Sequence, residues 1–287
     1  MVALAVLLLP FMAVAQTSSV NAYSPYSMYG PGELLTPGSA QMRSMGGVGI
    51  GLRSQGQPNV QNPAASSMAP SKSFLFDFGI DGTHFRNSQP KYDASGIKSG
   101  TAKTAYNTVN IHSIALTFPV AKRLGATLSL APYSSVGYKV KQTDQNEDNW
   151  ADIGRVIYGW QGDGDITEVK LSLGWEPFRN LSIGVAAKYF WGNIERNYSA
   201  TVANVITGDG YYGSTTGVDR YRVNNFKMQA GIQWNIISTK KRMLTVGATY
   251  DYGGPLRPKL QQTVYIGDHS STIVSQEDSR GQMRLPH

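Results

Sequence analysis

Short segments of strictly alternating hydrophobicity, joined by basic turns at one end and by long polar stretches at the other, constrain this chain more than any other feature. Leu181, Ile183, Val185, Ala187, Tyr189 and Trp191 are apolar, while Ser182, Gly184, Ala186 and Lys188 between them are small or polar. Phe226, Met228, Ala230, Ile232 and Trp234 repeat the pattern, and so do Leu244, Val246, Ala248, Tyr250 and Tyr252. A period of two means a strand with two unlike faces. In a water-soluble sandwich the apolar face points into a core. In a membrane barrel it points into lipid, and the small polar face lines the lumen.

The connections and the aromatics decide between these readings. Turns such as Lys122-Arg123 and Pro177-Phe178-Arg179-Asn180 are brief, whereas polar loops are expected to about Ala105, to about Asp165 and over 192–222. Up-and-down outer-membrane barrels alternate short and long connections in this way. On the presumed lipid face Phe118, Trp175 and Trp234 fall beside short turns, and Tyr189, Trp191, Tyr250 and Tyr252 fall towards long loops. These are two girdles, about 9–11 residues apart, as a tilted spanning strand requires. A sandwich has no reason to sort its aromatics to both strand ends. The expected fold is therefore all-β: an antiparallel up-and-down transmembrane β-barrel over 73–287, with about eight strands visible and the barrel incomplete. The expected compartment is the bacterial outer membrane.

The ends and the composition fit that reading. Val2 to Val14 is an apolar run, and Ala13-Val14-Ala15 is a small-x-small cleavage signal, so residues 1–15 read as a secretory signal peptide. The basic start of such a signal is missing, and the tail at Leu285-Pro286-His287 lacks a terminal aromatic strand, so the chain reads as truncated at both ends. Cysteine is absent, which excludes thiol catalysis and a disulfide framework. A net charge of +7 raises the question of nucleic acid, but many cations sit in short turns, as lipid head groups favour, and no basic aromatic module is present.

Residues 16–72 differ from the rest: rich in Gly, Ser, Pro, Gln and Asn, without sustained alternation. This segment contains Gly46, Gly47 and Gly49, in a run suited to close backbone packing, and then Asn62-Pro63-Ala64. Pro fixes its own φ and holds the preceding Asn extended. The glycine run lacks the G-x-G-x-x-G spacing and a preceding strand, so it is not a dinucleotide fingerprint. No phosphate-loop lysine motif, no G-x-S-x-G elbow and no clustered histidines are present, so no enzyme, cofactor or metal is expected. Asp163, Asp165 and Glu168, beside Asp144, Glu147, Asp148 and Asp152, read as a solvated outer loop able to join divalent-bridged lipopolysaccharide contacts, rather than a calcium loop. Lys170, Lys188 and Lys227 have lumen parity on separate strands and are candidate ligand contacts, with lumenal ion pairs as the alternative.

The Gly-rich stretch, Asn62-Pro63-Ala64 and a first strand at Phe74–Ile80 together resemble the N-terminal hatch of the FadL-type hydrophobic-compound transporters. Tyr23-Ser24-Pro25-Tyr26-Ser27 and Gly32-Glu33-Leu34-Leu35 ahead of it look like versions from the Bacteroidetes. The resemblance implies a plug, residues 16–72, seated inside the barrel, and passive uptake of small hydrophobic molecules such as long-chain fatty acids, which leave sideways through the wall. It also implies outer-membrane lipids, lipopolysaccharide and the barrel-assembly machinery as partners. This chain stops well short of that family's strand count, and the family's ligand-binding side chains have no residue-by-residue match here. The rival expectations are a secretion partner or protein-binding scaffold and, further off, a barrel lipase or protease.

Overall fold

The computed structural model describes residues 24–92, 98–144, 155–203, 214–239, 242–266 and 274–280, so the signal-peptide reading falls outside the described residues. The strands are β1 (Glu33–Leu34), β2 (Leu75–Tyr92), β3 (Lys98–Ala121), β4 (Leu124–Thr143), β5 (Arg155–Phe178), β6 (Leu181–Ala203), β7 (Thr215–Ser238), β8 (Met243–Tyr252), β9 (Lys259–Ile266) and β10 (Val274–Arg280). All pairings are antiparallel, and consecutive long strands from β2 to β7 are neighbours. The sheet curls into a half-barrel, an all-β up-and-down wall. No helix among the described residues is long and apolar enough to cross a membrane, which says nothing of crossing by strands.

The wall is tall. The stretches expected as long loops are largely strand: β2 runs on to Tyr92, β4 to Thr143, β5 starts at Arg155, β6 runs on to Ala203 and β7 starts at Thr215. Main-chain ladders need no apolar face, so pairing continues after the hydrophobic alternation ends. Asp163 and Asp165, expected in a loop, pair with Glu195 and Asn193 within β5–β6. At the other end the turns are tight. Ala121 pairs with Leu124 and Phe178 with Leu181, and the turn residues Arg123 and Asn180 take φ of 62° and 77°.

Two breaks in strand pairing shape the wall. The β3–β4 ladder ends at Ile114–Leu130, just before Pro132, which offers no main-chain donor. Beyond it β3 stays with β2, while β4 pairs on that side with β1, through Leu34–Ser134 and Glu33–Ser135. The N-terminal segment thus lies along the β4 edge; Ser24 N donates to Gly137 O at 2.9 Å and Leu35 N to Tyr133 O at 2.9 Å. The second irregularity is a break after β8. β8 and β9 both pair with β7, at its two ends, and the intervening chain tucks Leu256 fully into the interior.

The alternation sorts as membrane strands require. Phe76, Leu128, Leu171, Leu173, Val185, Met228 and Val246 are exposed on the outer face. Thr117, Thr127, Ser172, Ser182, Ala186 and Gln233 are buried on the inner one. What buries them is the segment before β2.

Candidate functional site

The lumen is a seat for that segment, built on a row of glycines. Gly125, Gly174, Gly184 and Gly231 are direct cross-strand partners across β4, β5, β6 and β7, all on the inner face. The 3-10 turn Pro63–Met68 lies against them. A Cβ at Gly174 would sit 2.6 Å from Pro63 O and Ser67 N, and one at Gly231 would sit 2.8 Å from Pro63 Cδ. At Gly184 and Gly125 it would collide with the Pro63–Ala64 and Ser66 main chain. Real Cβ atoms do not approach so closely, so only glycine fits this row as it stands. The row is visible in the sequence only once strand registers are known, which is why reading each strand alone misses it.

Asn62-Pro63-Ala64 works at the centre of this seat. Asn62 caps the turn, its Oδ1 accepting from Ala64 N at 3.0 Å, and its Nδ2 donates to Ile50 O at 2.9 Å and to Ile232 O of β7 at 3.1 Å. Beside it Gln233 Nε2 donates to Ile50 O at 2.8 Å and Leu52 O at 3.1 Å. The hydroxyls of Ser66 and Ser67 meet those of Thr127 and Ser182, each at 2.8 Å. At the tight-turn end Arg53 is clamped by Glu176 Oε1 at 2.6 Å and Asn180 O at 3.0 Å. The other hatch glycines have mixed roles. Gly46 and Gly47 follow the short helix α1 (Ala40–Ser44) with φ of 79° each, and a Cβ on Gly46 would meet no neighbour. Gly49 is pressed hard by Met42 and Gln61 and Gly47 more lightly by Thr36, so close packing falls on these two.

Four residues along the strands from the glycine row lies a row of cations. Lys170, Lys188 and Lys227 are direct neighbours across β5, β6 and β7. Two are committed. Lys170 is buried, donating to Val60 O at 2.6 Å and to Gln229 Oε1. Lys188 pairs with Asp251 Oδ1 at 2.6 Å. Lys227 makes no ion pair among the described residues; its Nζ lies 5.9 Å from the centre of the Phe190 ring. Phe190 opens an apolar layer inside the barrel, with Val136, Tyr138, Ile166, Ile194, Val223 and Leu256. The lumen is thus stratified: small residues and hatch, then lysines, then apolar side chains.

The girdle residues lie on the outer face. Trp175 and Trp234 are exposed near the tight turns, with Phe118 partly covered; Tyr189, Trp191, Tyr250 and Tyr252 are exposed farther along, and the Tyr189 and Trp191 rings stack at 5.7 Å. Among the described residues no group of acidic or histidine side chains could hold a metal ion, and Glu147, Asp148 and Asp152 lie outside them.

An all-antiparallel curled wall, apolar outside and holding its own N-terminal segment against its inner face, defines a β-barrel wall of the outer-membrane type. The chain belongs to the BamG family, whose model matches residues 1–283. No curated protein and no solved structure matches it significantly.

Proposed function

We propose that this protein is a plugged outer-membrane barrel that serves the barrel-assembly machinery as a docking subunit. The observation that carries the reading is the seat itself. The glycine row brings hatch main chain against wall main chain, and Asn62, Gln233 and Arg53 tie the two together. A segment tied this firmly to the wall suits a rigid scaffold better than a movable gate. The family name, one of the barrel-assembly series, supports the same partner. The test is to tag the full-length chain in its native cell and purify it from solubilised outer membranes. The central assembly barrel should co-purify in near-stoichiometric amount, and depletion of the chain should lower the levels of other outer-membrane barrels. Purification alone, with other barrels unchanged on depletion, overturns the reading.

A second reading, uptake of hydrophobic molecules such as long-chain fatty acids, draws on two observations. The wall parts between β3 and β4 beyond Leu130, and the apolar layer sits over Lys227, a lysine without an ion pair among the described residues. The carboxylate-binding candidate is thus Lys227, since Lys188 is held by Asp251. On this reading Lys227→Glu weakens binding of a long-chain carboxylate more than that of a neutral hydrocarbon. Equal effects on both ligands would remove its support.

A further inference from the structure

Beyond the outer aromatic row, the outward side chains of β4–β7 turn polar around a groove that Val140, Trp160 and Tyr198 also line. Lys139 and Lys141 of β4 face Gln161 of β5, Asn197 and Ser199 of β6, and Thr216 of β7. The pairings Lys139–Gln161–Asn197 and Lys141–Gly159–Ser199–Thr216 set these residues in two adjacent rows, with the Ser199 hydroxyl lying over Gly159. They share strand parity with Trp191 and so face outward, away from the hatch. Towards the membrane the next row is Asp163, Glu195 and Arg220, with Arg220 Nε 2.8 Å from Glu195 Oε2. Asn197 Nδ2 donates to Glu195 Oε1 at 3.3 Å, but Asn197 Oδ1 is buried without a hydrogen-bond partner.

We propose that this groove binds the phosphorylated saccharide head of outer-leaflet lipopolysaccharide. Two ammonium groups supply charge-assisted donors to phosphate. The Gln161 amide and the Ser199 and Thr216 hydroxyls serve sugar hydroxyls. Height agrees. Asn197 is six residues beyond Trp191, about 20 Å along an extended strand. A strand tilt of about 45° leaves about 15 Å along the membrane normal. Interfacial aromatics mark the head-group level, so the groove lies among the sugars just outside it. Asp163 and Glu195 carry one charge more than Arg220 offsets, so a divalent cation shared with a ligand phosphate strengthens binding.

The inference rests on the outer-membrane placement, and the experiment separates the two. The full-length chain in detergent is titrated with intact lipopolysaccharide, with the same glycolipid after dephosphorylation, and with a soluble phosphorylated core oligosaccharide, with and without magnesium. Both phosphorylated ligands should bind, and the dephosphorylated one at least tenfold more weakly. Lys139→Gln with Lys141→Gln should cost at least tenfold, whereas Lys122→Gln, at the tight-turn end, should cost nothing. Ser199→Trp fills the groove without altering charge and should also abolish binding, which keeps the test decisive should the double variant misfold. Equal binding by the parent and a folded groove variant, or indifference to dephosphorylation, overturns the site. Fractionation away from the outer membrane alongside intact binding in vitro would instead overturn the placement.

Discussion

Asn62 donates its side-chain amide to the main-chain carbonyl of Ile232, 3.1 Å away on β7. The same amide reaches Ile50 O, and its oxygen caps the turn at Ala64 N. One fully buried side chain therefore joins wall, Gly-rich segment and docking turn. Each partner is main chain, so the contact depends on where the backbones run and not on neighbouring side chains.

Asn62→Asp keeps the shape and exchanges a donor for an acceptor, which then faces two carbonyl oxygens. It should destabilise the seated hatch more than Asn62→Ala, for which the loss of buried hydrogen bonds costs about 1–3 kcal/mol. The temperature at which the folded band converts to the unfolded one on a gel measures both. Asp tolerated better than Ala would mean that the Nδ2 contacts contribute nothing.

Gly174→Ala and Gly184→Ala each drive a methyl group into the Pro63–Ser67 main chain. Overpacking of this kind costs about 1–3 kcal/mol, and here it acts on the hatch, the more movable partner. Higher ion conductance in planar bilayers, with the wall still folded, is the expected outcome. Gly82→Ala, where a Cβ meets nothing within 4 Å, should leave conductance unchanged.

Strand parity and the tight turns are legible in the sequence, because a period of two needs only local reading. Leu128 and Thr127 fall on the faces their alternation predicts. What stays hidden depends on register between strands. Gly125, Gly174, Gly184 and Gly231 are unremarkable singly and become a seat only when aligned; the lysine row is the same case. Strand length is also misread beyond the membrane, where Asp163 and Asp165 look like loop residues although their main chain stays paired. Pro132 is the one local signal of the β3–β4 parting, and a single proline near a strand end is too common to predict it.

Arginine placed on the lipid face should separate the two parities. At Leu128, Val185 or Val246, all exposed outward, it should cost about 2–4 kcal/mol near mid-membrane and impair assembly. At Thr127 or Ala186, both buried on the inner face, arginine should instead displace the hatch, raising conductance. Equal outcomes at both parities, scored by heat-modifiable migration and conductance, would exclude the register.

Two carboxylates in the extended part of β5–β6 should respond to pH with opposite signs. Burial, and then the neighbouring Glu195 charge, push the Asp163 carboxyl up. The folded state thus favours its protonated form, and its contribution worsens as pH rises past the ordinary carboxylate range. The hydrogen bond from Arg220 holds Glu195 down, so its stabilisation is present above the ordinary value and lost as pH falls through the lowered one. Asp163→Asn should therefore raise the unfolding temperature at neutral pH and change it little near pH 3, by the same linkage. Glu195→Gln should lower it at neutral pH. Melts of both variants across that range are the measurement.

The N-terminal segment holds the β4 edge that β3 leaves, and this is the relationship on which the parted wall depends. Leu34 and Ser134 are direct cross-strand partners, and the chain has no native cysteine to interfere. Side chains directly opposite in an antiparallel pair have Cβ atoms about 4.5–5.5 Å apart, a modest adjustment from disulfide spacing. Leu34→Cys with Ser134→Cys should cross-link in an oxidising envelope, and Leu34→Cys with Ser172→Cys, on the next strand, should not. If the segment simply braces the wall, the cross-linked protein keeps full activity, whether scored by assembly of other barrels or by hydrophobic uptake. If it must leave β4 so that β3 can close the seam, the cross-link abolishes activity and reduction restores it. Failure to cross-link, with both thiols reactive towards a small reagent, would remove β1 from the β4 edge altogether.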